Sequence, residues 1–164
     1  MAERSSFPAS RHDHGACKVA ALAMAADLCR RRGVRLTDAQ RLVLELVWDS
    51  HRPIGAYGLL KAMIQKGRSA APPTVYRALD FLRRQGLVHR IESRNAYVGC
   101  PWPGHDPAVE LLICSQCGQA GEIGGGVIAK ALSARAQRLG FAAGRQTIEV
   151  EGRCRECRRR KTHA

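Results

Sequence analysis

Two Cys-x-x-Cys pairs, Cys114/Cys117 and Cys154/Cys157, constrain this chain more than any other feature. Each pair sets two sulfurs on one tight turn, where both reach a single metal. Two such pairs match a tetrahedral four-thiolate zinc site. The 36 residues between the pairs then become a closed loop under a metal staple. A single pair would read equally well as a redox motif, which makes a thiol redox protein the rival from another class. That rival needs a pair at a strand-to-helix junction, and neither pair is expected at one. A zinc deaminase requires His-x-Glu ahead of Pro-Cys-x-x-Cys. Here Ile113 precedes Cys114 and no His-x-Glu occurs, so no enzymatic activity is expected.

At 164 residues the chain holds one domain or two small ones, and two small halves would each gain from a metal. The formal net charge is +13, from 27 Lys+Arg against 14 Asp+Glu. Such an excess favours a polyanionic partner, first of all nucleic acid. Met1 to Arg11 lacks the apolar core of a signal peptide. The alanine-rich run Ala16–Leu28 carries Lys18 and Asp27, and is too short and polar to span a bilayer. Seven cysteines without an export signal fit a reducing cytoplasm, where thiols are kept for metal.

The pattern along the chain predicts an α+β protein of two domains. Residues 1–14 read as a disordered arm. Residues 15–100 predict four helices and a hairpin. The first runs from Ala16 to Arg32, with Val19, Leu22, Ala26 and Cys29 as its apolar stripe. The second follows Thr37, a good N-cap, over Asp38–Asp49. The third spans Ala56–Lys66 with Leu59, Leu60, Met63 and Ile64 inward. The fourth is Thr74–Gln85, after an extended Pro72-Pro73 entry. Residues 101–108 form a Pro/Gly hinge, 109–157 a zinc-stapled α/β domain, and 158–164 a basic tail.

Three helices, a fourth with a polar-aromatic outer face, then a hairpin is the order of a winged helix-turn-helix. Val75, Ala78, Leu79 and Leu82 form one face of the fourth helix, leaving Tyr76 and Arg77 free to enter a DNA major groove. Arg77 can fork onto guanine or phosphate, Tyr76 can pack on a thymine methyl, and Thr74 can donate to phosphate. Arg83, Arg84, Arg90 and Arg94 would add charge without sequence preference. The bland alternative is an amphipathic helix with a solvated charged face.

The segment Pro72-Pro73-Thr74-Val75-Tyr76-Arg77-Ala78-Leu79-Asp80-Phe81-Leu82 resembles the recognition helix of the ferric uptake regulator superfamily. Within it the chain is most similar to the zinc uptake regulators. The resemblance covers roughly Leu28 to Cys157. It includes Val34-Arg35-Leu36-Thr37, Ala56-Tyr57-Gly58-Leu59-Leu60, Gly86-Leu87-Val88-His89 and both cysteine pairs. It implies a homodimeric repressor with an N-terminal winged helix and a C-terminal dimerisation domain. It also implies zinc as corepressor, two ions per protomer, a palindromic DNA operator, and Tyr76 and Arg77 as principal contacts, with Arg35 among the supporting ones. The chain departs from the usual Leu-Thr-Pro-Gln-Arg in having Asp38-Ala39-Gln40-Arg41, so its arginine sits one place late.

A repressor that senses metal needs a second, weaker site coupled to shape. Its candidate ligands are His89, Cys100, His105 and Glu122: two imidazoles, a thiolate and a carboxylate, a tetrahedral zinc set. The resemblance implies the same four positions. A two-residue turn at Arg94-Asn95 would place His89 directly opposite Cys100, with Cβ atoms roughly 5 Å apart. Singly, His89 reads as a strand histidine, Cys100 as a small buried residue and Glu122 as a surface charge. Asp106 is a possible substitute ligand. The His-His-Asp-His segment of iron and peroxide sensors is absent, yet siblings sensing iron, manganese or nickel remain alternatives. His12, His14 and Cys17 read either as an auxiliary metal site or as an arm, and Cys29 as core.

Overall fold

The structure is a computed structural model that describes Phe7 and residues 13–104, 108–124 and 126–160. It parts into two compact units, Arg11–Gly104 and His105–Ala164, the second joined by the Met1–Ser10 segment that carries Phe7. Of the expected arm, Asp13 and His14 belong to the first helix and its cap, and the remainder other than Phe7 lies outside the described residues, as do His105, Asp106 and the end of the basic tail.

The first unit holds α1 (His14–Arg31), α2 (Asp38–Val47), α3 (Ala56–Gln65) and α4 (Pro72–Arg84). Helix α1 starts two residues earlier than expected, because the Asp13 carboxylate accepts from the Ala16 N–H at 3.0 Å and caps it. Its buried face is Ala21, Ala25, Leu28 and Cys29, whereas Val19 is exposed. Leu22 and Cys29 of the expected stripe do reach the core. Helix α2 opens on a full capping box: Gln40 N–H donates to Thr37 Oγ1 at 3.3 Å, and Thr37 N–H donates to Gln40 Oε1 at 2.9 Å. Thr37 is the N-cap the sequence predicts; the return bond from Gln40 completes the box and explains why Asp38-Ala39-Gln40 works as a helix start. Helix α4 begins at Pro72 rather than Thr74, with both prolines in its first turn, where a missing N–H costs no helical bond. Ile64 of α3, expected inward, is exposed.

The wing is an antiparallel pair, β1 (Val88–Ile91) and β2 (Ala96–Gly99). Its register differs from the one expected: His89 pairs with Val98, not with Cys100. The loop has four residues, a 3-10 turn over Glu92–Arg94 followed by Asn95 at φ 45°, in the left-handed region that asparagine tolerates. Ile54 adds a single bridge on Tyr97, with both N–H···O bonds at 2.9 Å. The core joins the inner faces of all four helices to Leu87, Val88 and Tyr97.

The second unit holds a three-stranded sheet in the order β4 (Ala120–Ile123), β3 (Ala108–Cys114), β5 (Gln146–Gly152), with β3 and β5 parallel. Helix α5 (Val127–Arg138) lies between β4 and β5 in the chain. The buried Glu110 carboxylate accepts from the Ala129 N–H at 3.2 Å, tying the α5 N-terminal turn to β3. A short α6 (Arg155–Arg160) follows β5, so part of the expected tail is helical. Phe7 packs on Gly121 of β4, where a Cβ would stand 2.7 Å from the Phe7 Cα.

Candidate metal centres and nucleic-acid interface

Parallel pairing of β3 with β5 puts Cys114 opposite Gly152 and so carries the second cysteine pair to the first. The Ser115 N–H bonds to the Gly152 carbonyl at 2.8 Å and locks that register. The first pair turns back on itself: Gly118 at φ 76° lets its N–H reach the Cys114 carbonyl at 2.9 Å. The sulfurs of Cys114, Cys117, Cys154 and Cys157 all lie within 4.8 Å of one another. Cys117 Sγ and Cys154 Sγ are 3.9 Å apart. Sulfurs about 2.3 Å from a tetrahedral zinc stand about 3.8 Å from each other, whereas a disulfide needs about 2.05 Å. All four are free thiols.

The electrostatics suit a metal. Burial alone would push the Cys114 thiol up. Hydrogen bonds from the backbone at Cys117, Cys154 and Gln116, and from the Cys117 side chain, bring it down to about 6. Burial pushes Cys117 up. Burial, then bonds to the neighbouring sulfurs and the Cys114 charge, push Cys157 up to about 12. Cys114 is thus the thiol most readily ionised, and a dication would draw the remaining sulfurs into the thiolate state. The donor set fits zinc. The second pair does sit at a strand-to-helix junction, between β5 and α6, contrary to the sequence expectation. What separates it from a redox pair is convergence: its sulfurs face two more thiols rather than each other alone.

On the wing, His89 and Cys100 are both buried, with a ring nitrogen and the sulfur within 4.8 Å of each other. Cys100 N–H bonds to the Leu87 carbonyl at 3.0 Å, extending the hairpin past β2. With His89 opposite Val98, Cys100 is its diagonal neighbour on the same face, so the two donors converge although the register expected for them was wrong. Glu122 is half-buried on β4, opposite Leu111.

Helix α4 buries Val75, Ala78, Leu79 and Leu82 and turns Tyr76 (49% exposed) and Arg77 outward. Thr74 is half-buried in its first turn. Arg35 is exposed ahead of α2. Arg84 pairs with Asp80 at 3.1 Å across one helical turn, an exposed pair worth at most about 1 kcal/mol and easily exchanged for phosphate. Arg94 is half-buried in the wing turn. Arg90 has a different task from the one expected: its Nε lies 3.2 Å from Glu92, and its Nη2 donates to Asn95 Oδ1 at 3.0 Å. It staples the wing turn instead of offering free charge. Tyr57, in the first turn of α3, is the most exposed of the three tyrosines at 76%.

A winged helix with an outward polar-aromatic helix, in one chain with an α/β unit that gathers four thiols, defines a class of winged-helix proteins with a site fit for a metal. The chain belongs to the ferric uptake regulator family, which matches it over residues 31–151. The zinc uptake regulation protein of Escherichia coli (strain K12) is 40% identical over 139 residues, 83% of this chain and 80% of that protein. Among solved structures, a zinc uptake regulator complexed with zinc and DNA is 37% identical, with a TM-score of 0.80 over 88% of this chain and 97% of its own. Holo XcZur is 42% identical, with a TM-score of 0.78 over 84% and 96%. Among the described residues, no helix is long and apolar enough to cross a membrane.

Proposed function

We propose that this protein is a zinc-responsive, DNA-binding repressor that uses zinc as corepressor to control zinc uptake genes, acting as a homodimer in the cytoplasm and catalysing no reaction. The carrying observation is the pair of buried donors, His89 and Cys100, on the wing of a winged helix. A metal ligated there acts on the DNA-reading unit itself. Cys114, Cys117, Cys154 and Cys157 hold one zinc as a permanent staple. His89, Cys100, His105 and Glu122 hold a second, regulatory zinc. The thiolate among them favours zinc over a hard, oxygen-seeking cation. Zinc, binding wing and dimerisation domain together, selects the arrangement in which two winged helices match one palindrome.

Dimerisation is supported by apolar surface on the second unit. Ile128, Leu132 and Leu139 repeat along one side of α5 and its C-cap, all exposed, and the edge strand β5 exposes Val150. A second copy of the chain would cover them.

Zinc titrated into the protein with a palindromic duplex tests this reading, with bound zinc counted before and after mild chelation. Expected is one chelation-resistant zinc per protomer and a second that switches DNA binding on. Tight binding indifferent to zinc would assign the sensor to another metal.

Arg77→Ala is expected to weaken operator binding by roughly 1–3 kcal/mol and to relax sequence preference at one base pair, as a base-reading arginine does. Arg84→Ala should weaken binding to all sequences alike and flatten its salt dependence. Fluorescence anisotropy against matched and mutated duplexes separates the two; identical behaviour of the variants would remove Arg77 as a base reader.

A further inference from the structure

Trp48 is the residue that closes α2, and its buried indole lies on Gly99 of the wing. A Cβ at position 99 would stand 2.2 Å from the indole Cε2, 2.4 Å from Nε1 and 2.6 Å from Cζ2. No side chain fits there, so glycine at 99 and the indole at 48 specify each other. The neighbouring residue is Cys100. Gly99 pairs with Val88, and Cys100 N–H bonds to Leu87 O at 3.0 Å, so the rung under the indole is the one just before the cysteine. The indole also meets the His51 ring at a steep angle, 79° between planes with centroids 6.2 Å apart. Trp48 is thus held from α2 and pressed onto the strand end that carries the sulfur.

We propose that Trp48 is a positioning residue for the regulatory metal. Its indole, seated on Gly99, holds the Cys100 sulfur within reach of His89, and it passes metal occupancy to α2, which packs against the recognition helix α4. The proposal rests on His89 and Cys100 being regulatory ligands. Packing of this kind acts as an outer shell of the site, where loss of a support typically lowers metal affinity about 10–100-fold.

The test uses the full-length protein as Gly99→Ala, Trp48→Leu and the double variant. Regulatory affinity is read by competition with a chromogenic chelator, and cysteine ligation by the sulfur-to-metal absorption band after cobalt loading. Gly99→Ala should lose about 10–100-fold in regulatory affinity and weaken the cobalt–sulfur band, while the chelation-resistant zinc stays. In the double variant, leucine leaves room for the new methyl group, so the losses should fall well short of additive. Wild-type regulatory affinity in Gly99→Ala, or fully additive losses, would overturn the proposal. Should Gly99→Ala fail to fold, Trp48→Leu alone serves instead, because leucine has no ring to lie on Gly99, and undiminished regulatory affinity there would overturn the proposal. Cys100→Ser runs alongside. If that variant keeps metal-dependent binding, the ligand assignment itself fails and the proposal with it. If it loses binding while Gly99→Ala does not, only the positioning role falls.

Discussion

Cys157→Ser is expected to release the chelation-resistant zinc and, with it, the folded C-terminal unit and the dimer. The side chain is buried beside three other sulfurs, and a neutral hydroxyl cannot replace a thiolate on zinc. The unit has little else to hold it. Its buried apolar residues among those described are few, chiefly Val109, Leu111, Ile113, Ala120 and Ala129. Structural zinc contributes about 10–16 kcal/mol of apparent binding free energy at neutral pH, more than a core of this size supplies on its own. Zinc stoichiometry, far-UV circular dichroism and size-exclusion chromatography together read the result. A folded dimer that still carries two zinc ions would refute the staple. The same site predicts acid lability. In the metal-free protein Cys114 is depressed from 9.0 to about 6, so its contribution to stability is full above 9 and lost as pH falls through about 6. Cys157, raised to about 12, acts in the opposite sense: its contribution is full below 9 and lost as pH rises through 12. Zinc must displace the Cys157 proton, so zinc affinity should climb with pH and chelators should strip the ion faster in mild acid.

Cys100→Ser is expected to keep the fold, the dimer and the structural zinc, and to lose the zinc dependence of DNA binding. Serine nearly matches cysteine in volume, and the buried hydroxyl costs about 1–3 kcal/mol, which a melting curve would register. The functional loss is larger. Allosteric coupling of about 1–3 kcal/mol corresponds to a 5–150-fold enhancement by the effector, and removal of one ligand should erase nearly all of it. Zinc-free binding to non-operator DNA should be unchanged, because that term comes from charge. Operator binding by Cys100→Ser that rises with zinc as in the unmodified protein would remove Cys100 from the sensor.

Much of this molecule is legible in its sequence. Helix α4 is a case of agreement between levels: Val75, Ala78, Leu79 and Leu82 recur at helical spacing, and those four are the ones buried. Where expectation failed, the missing information was long-range or torsional. Of the stripe expected on α1, Cys29 is buried and Leu22 packs on the core, whereas Val19 is exposed because the buried face runs through Ala21, Ala25 and Leu28. Arg90 looked like a free cation until the turn brought Glu92 and Asn95 back to it.

The spacing of the cysteines determined, by itself, that two turns would each present two sulfurs, since a Cys-x-x-Cys turn is built from four consecutive residues. The Thr37 N-cap sets the start of α2 for the same reason: its partner lies within one turn. Only the tertiary structure decided that β3 and β5 run parallel with Cys114 beside Gly152, that Asn95 takes a left-handed conformation and so sets the wing register, and that Trp48 lies on Gly99. Those features depend on residues that meet only after the chain has folded back. Their geometry follows from strand register and side-chain volume across the core, which spacing along the chain does not encode.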